Sequence, residues 1–339
     1  MTWFAKISHK PAKPLFDMPC PKLYDKLGRE PGRANRYTTD RNDSTRPWFS
    51  KQKRGFVLNI QLIADSCCDM TPAMRHTLRL LTAPLKISVN GKEYVDDENI
   101  SVKRLLADIK ASKTPISSAA PAPEEYAALM RDSEASVVVT LSSHLSGSYN
   151  AAMAARSMVL EESPDKKIAV FDSKSASAGE TRIILYLTEL LAGGTSFESL
   201  QEKIPPFISS MRTFFVLEVL STLINNGRIL KMAGMIVTLL LLRRIMGENG
   251  DGEILPIEKV RGTQKAFARL VEIVAEQTRA AKPKGLTLTL SYCNAGERAA
   301  ELKKTFLARC PAIGEVVMTP TGGLSTSYAN NGGGLGAVG

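Results

Sequence analysis

Two hydroxyl-rich turns in this chain have residue types and spacing that could hold an anion. The first is Leu141-Ser142-Ser143-His144-Leu145-Ser146-Gly147-Ser148-Tyr149-Asn150. It follows a short apolar strand, Ser136 to Leu141, and leads into an alanine-rich helix, Ala151 to Leu160. A helix start leaves backbone N–H groups without intrahelical acceptors, and its dipole favours negative charge there. The turn would therefore hold an anion with hydroxyls and amides rather than with lysine or arginine. The second turn is Pro115-Ile116-Ser117-Ser118-Ala119-Ala120-Pro121-Ala122-Pro123-Glu124-Glu125-Tyr126, which also opens a helix. Serines at such turns also serve as plain helix caps, so either segment alone is a weak signal.

Catalysis is the first chemistry to weigh. A serine nucleophile needs a base held by a third group, and His144 sits in the same turn as Ser146, too local for that geometry. Asp65, Asp69, Asp97 and Asp172 could serve as acids, but no hydrolase elbow frames them. A serine-dependent acyl or phosphoryl hydrolase or transferase, using Ser146 or Ser118, stands as the alternative to a binding protein. The five cysteines include an adjacent pair, Cys67-Cys68, which is not a CxxC spacing, and the three histidines are scattered. No metal-ligand cluster is visible, so neither a metal nor a cofactor is expected, and the thiols are expected to be reduced in a cytoplasmic protein.

Strands alternating with helices must position these turns. Strand Val57 to Ala64 precedes a helix near Pro72 to Leu81; Leu85 to Val89 is a strand closed by an Asn90-Gly91 turn. Helices follow at Ser101 to Lys110, capped by Ser101, and at Glu124 to Arg131. Strands Val137 to Leu141 and Ile168 to Phe171, then helices from Glu180 and from Ser196, complete the pattern of a mainly parallel sheet flanked by helices. Strands Thr213 to Val219, Glu253 to Val260, Leu286 to Cys293 and Glu315 to Pro320, with helices Gln264 to Arg279 and Glu297 to Ala308, make a second α/β unit. Met232 to Leu242 reads as a helix buried in a core or lining a pocket, and Asn330 to Gly336 as a glycine-rich tail. The expected boundaries are a disordered basic extension at 1–56, an N-terminal α/β domain at 57–179 and a C-terminal α/β domain at 180–339.

Charge argues against nucleic acid. The net +10 is concentrated in residues 1–55, with 13 Lys/Arg against 5 Asp/Glu, while the remainder holds 31 against 29. No apolar run approaches the ~18–20 residues of a membrane span, and residues 1–55 lack the apolar core of a secretory signal. A membrane or anionic partner touched by the basic tail is a further alternative, and transient contact with a membrane surface is compatible with these features.

Three further segments share the hydroxyl-rich character: Asp65-Ser66-Cys67-Cys68-Asp69, Asp172-Ser173-Lys174-Ser175-Ala176-Ser177-Ala178-Gly179, and Leu220-Ser221-Thr222-Leu223-Ile224-Asn225-Asn226-Gly227-Arg228-Ile229. Together with Val260-Arg261-Gly262-Thr263-Gln264-Lys265-Ala266 they resemble the DegV family, whose pattern runs DSxxD, TSQPSP, SSxLSGTY, DSxxxSxG, LxxLxxGGRI, VRxxxKA and HxGPG. The order matches from about Val57 to Gly336. The resemblance implies a two-domain fold with a lipid tunnel between the domains, in which a long-chain fatty acid lies non-covalently. It implies no catalysis by this chain, but presentation of the acid to a separate ATP-dependent kinase subunit that forms an acyl phosphate.

Carried onto this sequence, the resemblance places the carboxylate between Ser118 and Ser146, with the Gly147 N–H beside it and Asn330 at the family histidine. The tunnel candidates are Leu217, Leu220, Leu223, Ile224, Ile229, Met232, Met235, Ile236 and Leu239 to Leu242; Arg228 and Arg261 are candidate contacts for the kinase. A buried carboxylate must be hydrogen-bonded, and a 16-carbon tail offers on the order of 12 kcal/mol of burial as an upper bound. Three departures stand out: Ala119 and Ala120 in the TSQP loop, Asn226 for the first glycine of GGRI, and Asn330, which cannot carry a proton at neutral pH.

Overall fold

The computed structural model describes residues 60–229, 242–279, 285–330 and 332–339; the expected basic extension at 1–56 lies outside them. Strands β1 (Ile60–Asp65), β2 (Leu81–Ala83), β6 (Ala135–Thr140) and β7 (Lys167–Asp172) form a parallel sheet in the order β2-β1-β6-β7. Period-two alternation decides what covers each face. Leu62, Ala64, Val137, Val139, Ala169 and Phe171 face α1 (Pro72–Leu78), α5 (Ala178–Ala192) and α6 (Phe197–Ser210). Ile63, Val138 and Ile168 face α3 (Pro123–Arg131) and α4 (Ser148–Glu162). Both faces are buried, as an all-parallel sheet requires.

Local chemistry sets the helix ends. Thr71 Oγ1 accepts the Met74 N–H at 3.2 Å with Pro72 in the first position of α1. Ser101 accepts from Arg104 at the start of α2 (Val102–Ala111), and Ser196 accepts from Ser199 at the start of α6. The helix expected to run to Leu81 stops at Leu78, because Arg79 turns left-handed (φ 50°) and residues 81–83 are drawn into β2.

A small antiparallel sheet, β4-β3-β5 (Lys92–Val95, Lys86–Val89, Ser117–Ala119), stands at one end of the first. Its hairpin turns at Asn90-Gly91, both left-handed at φ 50° and 77°. The second large sheet is mixed: β10 (Ile254–Arg261), β9 (Leu242–Glu248), β8 (Arg212–Val216), β13 (Gly334–Val338), β11 (Leu286–Tyr292) and β12 (Ile313–Pro320), in that order. One face packs on α8 (Thr263–Thr278) and α9 (Gly296–Arg309); the other turns Phe215, Leu217, Met246 and Ile254 toward α7 (Ser221–Asn225) and Ile229.

Two expectations are corrected here. The glycine-rich stretch expected as a tail is instead the entry to β13, an inner strand between β8 and β11. Glycine is needed there: Gly332 has φ +85°, and a Cβ on it would lie 2.4 Å from Glu218 Oε1. Of the expected helix Met232 to Leu242, Leu242 begins strand β9, and the rest lies outside the described residues.

Helix α5 ties the two large sheets together. It packs in the core of the first, while Thr289 Oγ1 on β11 donates to Ala178 O at 2.7 Å and Val317 on β12 joins the same core. Leu185 on α5 is fully buried in that core. Truncation of Leu185 to Ala is expected to cost about 2–5 kcal/mol of unfolding free energy, measured by urea denaturation followed by circular dichroism.

Candidate functional site

The parallel sheet has its switch point between β1 and β6, where ligands of open α/β sheets bind beyond the carboxyl ends of the strands. The turns after β1, β6 and β7 project there and face the second large sheet. A cavity opens between them, with an empty volume of ≈ 970 Å³ that includes solvent at its mouth. The first sheet contributes Cys67, Leu141, Leu145, Ser146 and the 174–177 turn. The small sheet contributes Leu85 and Ser118. The mixed sheet supplies Thr213, Phe215, Leu217, Ile254 and Ser291, and α10 (Gly323–Ala329) supplies Leu324, Ser325, Tyr328 and Ala329. The cavity is thus mostly apolar with hydroxyls at chosen points, the usual composition of a small-molecule site.

Three buried carboxylates hold these turns by accepting backbone N–H groups. Asp65, the last residue of β1, accepts from Cys67 N at 3.0 Å and from Leu141 N at 2.8 Å. Asp69 accepts from Gly322 N at 2.7 Å and from the Ser177 hydroxyl. Asp96 accepts from Gly323 N and Leu324 N, both at 2.8 Å, and so caps α10. At the rim, Asp172 accepts from Lys174 N at 2.9 Å and from Ser143 N. The hairpin between β9 and β10 closes one side: Ser142 Oγ donates to Gly252 O at 2.9 Å, and Lys174 pairs with Asp251 at 3.3 Å.

Burial raises these carboxyls. Asp65 and Asp69 are each pushed up to about 6, desolvation outweighing the N–H and hydroxyl bonds they accept. Glu180 is also raised well above the usual carboxylate range, first by burial and then by the neighbouring Asp65 charge. Ligand atoms of Asp65, Cys67 and Glu180 lie within 4.8 Å of one another. Burial also pushes the Cys67 thiol up, and Asp65 already accepts two N–H bonds. Both Asp65 oxygens are thus taken up by backbone N–H groups, and burial disfavours the charged form of all three side chains, which weakens the trio as a set of anionic metal donors.

The candidates read from the sequence fall into four groups. Ser118, Ser146, Leu217, Leu223 and Arg228 line the cavity. Ser146 Oγ accepts the Ser148 N–H at 3.2 Å and lies 3.0 Å from Ser148 Oγ; Ser118 Oγ lies 3.0 Å from the Tyr328 hydroxyl. Gly147, Leu220, Ile224, Ile229 and Asn330 are neighbours of the lining without belonging to it. A Cβ on Gly147 would lie 3.8 Å from Ala120 Cβ, so the two serine turns abut. Asn330 ends α10 in a left-handed conformation (φ 53°), its N–H bonded to Thr326 O. Arg261 is exposed at the far end of β10. Met232, Met235, Ile236 and 239–241 lie outside the described residues. Sequence reasoning quoted Ser175 and Ser177 within a motif without giving them a role and passed over Ser325 and Tyr328, for which the hydroxyl density of Thr319 to Tyr328 was the available signal.

His144 does not line the cavity; its Nδ1 faces Glu253 at 3.6 Å. Asp65, Asp69 and Asp172 are occupied as acceptors of backbone N–H groups, and Asp97 accepts from Asn99 N at 2.8 Å.

The fold and site define a two-lobed α/β binding protein. A family model described as "Uncharacterised protein, DegV family" matches residues 59–338, and the chain belongs to the DegV family. A DegV domain-containing protein of Streptococcus pneumoniae is 30% identical over 277 residues, 80% of this chain and 96% of that relative. A DegV family protein of Ruminococcus gnavus, refined with vaccenic acid, superposes with a TM-score of 0.77 at 34% identity, covering 82% of this chain and 99% of its own. The Fatty Acid Kinase (Fak) B3 protein of Streptococcus pneumoniae, loaded with linoleic acid, does so with a TM-score of 0.73 at 29% identity, covering 83% and 99%. No helix among the described residues is long and apolar enough to cross a membrane.

Two predictions come from the carboxylates. Asp96→Ala leaves two buried N–H groups of α10 unpaired and is expected to cost about 2–4 kcal/mol in urea unfolding. Asp65 and Asp69 bind protons more tightly folded than unfolded. Their stabilisation is complete below about 3.8 and is lost as pH rises through about 6. Unfolding free energy should therefore be higher at pH 5 than at pH 7, by about 1 kcal/mol per group, and the difference should shrink in Asp69→Asn.

Proposed function

We propose that this chain binds a long-chain fatty acid non-covalently and presents its carboxylate to a separate ATP-dependent kinase subunit, without turnover of its own. The observation that carries this reading is that Ser118 and Ser146, from two different turns, line one largely apolar cavity. Neutral hydroxyl donors can satisfy a carboxylate where it leaves water. Leu217, Leu223, Phe215 and Ile254 offer surface for the alkyl chain. The fatty acids bound to the Ruminococcus gnavus and Streptococcus pneumoniae proteins support the ligand class, and the kinase name of the latter supports the partner. Arg228 in the lining and the exposed Arg261 are proposed kinase contacts. The site of action is proposed to be the cytoplasm, with transient contact at a membrane surface and with no nucleic-acid partner.

The position of His144 speaks against the serine-enzyme reading, since no base reaches Ser146 from it. Native mass spectrometry of the protein as purified tests the proposal. The expected result is an adduct of fatty-acid mass, released by organic solvent. Ser118→Ala and Ser146→Ala should each weaken palmitate binding roughly 10-fold or more, the worth of a hydrogen bond to a charged group. A covalent acyl adduct on either serine would instead make the chain an acyl-transferring enzyme, and a protein that neither carries nor takes up fatty acid would leave the reading without support.

A further inference from the structure

The residue that meets Ser118 in the cavity wall is Tyr328, on the last turn of α10, with its phenolic oxygen 3.0 Å from Ser118 Oγ. Both residues line the cavity. Two hydroxyls in contact carry two protons between them and spend only one on each other. The other is left to donate, and a carboxylate oxygen entering between them would accept from both. Resting on the fatty-acid reading above, we infer that Tyr328 is a head-group ligand. With Ser118 it makes the donor pair that selects a carboxylate, in the role that the family pattern would give to position 330.

Three features of the fold support this assignment. Helix α10 is a rigid mount, since Asp69 and Asp96 hold the N–H groups of Gly322, Gly323 and Leu324 at its start. The tyrosine ring packs with the apolar clusters on either side of the cavity, which fixes the direction of its hydroxyl. Asn330, by contrast, is outside the lining, beyond the end of the helix and left-handed. A hydroxyl on a packed ring, anchored by a capped helix, is better preorganised than an amide on the glycine-rich connection that follows.

The test compares delipidated full-length protein with Tyr328→Phe, Ser146→Ala and Asn330→Ala, each titrated with palmitic acid and with hexadecan-1-ol. The two ligands share the chain and differ only at the head, where the alcohol is neutral, has one oxygen and can itself donate a hydrogen bond. Tyr328→Phe keeps the ring, so it should weaken palmitate roughly 10-fold while leaving hexadecanol within about twofold; Asn330→Ala should move neither by more than about twofold. The ratio of the two affinities is read on the folded protein, so a change in stability alone does not move it. Equal weakening of acid and alcohol in Tyr328→Phe would make the residue a packing element and overturn the inference. So would wild-type palmitate affinity in Tyr328→Phe, and if Ser146→Ala were still weakened the fatty-acid reading would survive. Failure of the wild type to bind palmitate at all would overturn both.

Discussion

The cavity exists because carboxylates at strand ends accept backbone N–H groups from turns far away in sequence. Asp65 joins the end of β1 to Leu141 at the end of β6, Asp69 joins the first turn to Gly322, and Asp96 joins the small sheet to α10. Each bond replaces water at an N–H that would otherwise be buried unpaired, a loss of about 1–3 kcal/mol per group. Together they fix three turns and one short helix at a distance that leaves a void between the sheets. The cost is electrostatic. Four acids, Asp65, Asp69, Asp96 and Glu180, sit at 4% exposure or less, and burial raises all of them. At Glu180 the neighbouring Asp65 charge adds to the effect of burial, so the cluster next to the cavity favours less negative charge than its composition suggests.

These shifts matter for an anion. Burial disfavours the charged form of all four acids, which lessens the field opposing a carboxylate ligand. Lys174 and Arg228 add positive charge to the lining. Lys174 is already engaged by Asp251 on the hairpin tip, so it neutralises the rim more than it grips a ligand. The hairpin can approach so closely because Gly252, at φ +89°, has no Cβ; one there would sit 2.4 Å from Ser142 Oγ.

Much of this architecture was legible in the sequence. Alternating apolar strands and capped helices marked the parallel sheet, and the Thr71, Ser101 and Ser196 caps lie where small hydroxyl residues precede periodic apolar runs. Elements with weak periodicity were not legible. β5 is three residues long, and β13 opens on glycine, where a Cβ on Gly334 would lie 3.1 Å from the Phe267 ring, so its start carries no apolar signal. Helix α10 has no side-chain cap of its own; its cap is Asp96, which is 227 residues away from Gly323. Helix α10 carries Tyr328 and Ser325, so the part of the site that sequence reasoning missed is the part whose geometry depends on long-range contacts.

The two serine turns illustrate how such a site tolerates change. Ala119 and Ala120 stand where the family pattern has larger polar residues, yet Ser118 still lines the cavity, since its place is set by pairing of β5 with β3, Ser118 opposite Ile87. Ala120 lies against Gly147 at the start of α4, so the loop and the helix entry fit by small volume on both sides. Backbone register positions the hydroxyl, and the neighbouring side chains only have to stay out of the way. On the fatty-acid reading, affinity resides mainly in the apolar walls and the head site needs only correctly aimed donors. A neutral head site of that kind can shift a donor from one element to another while the alkyl-binding walls stay unchanged.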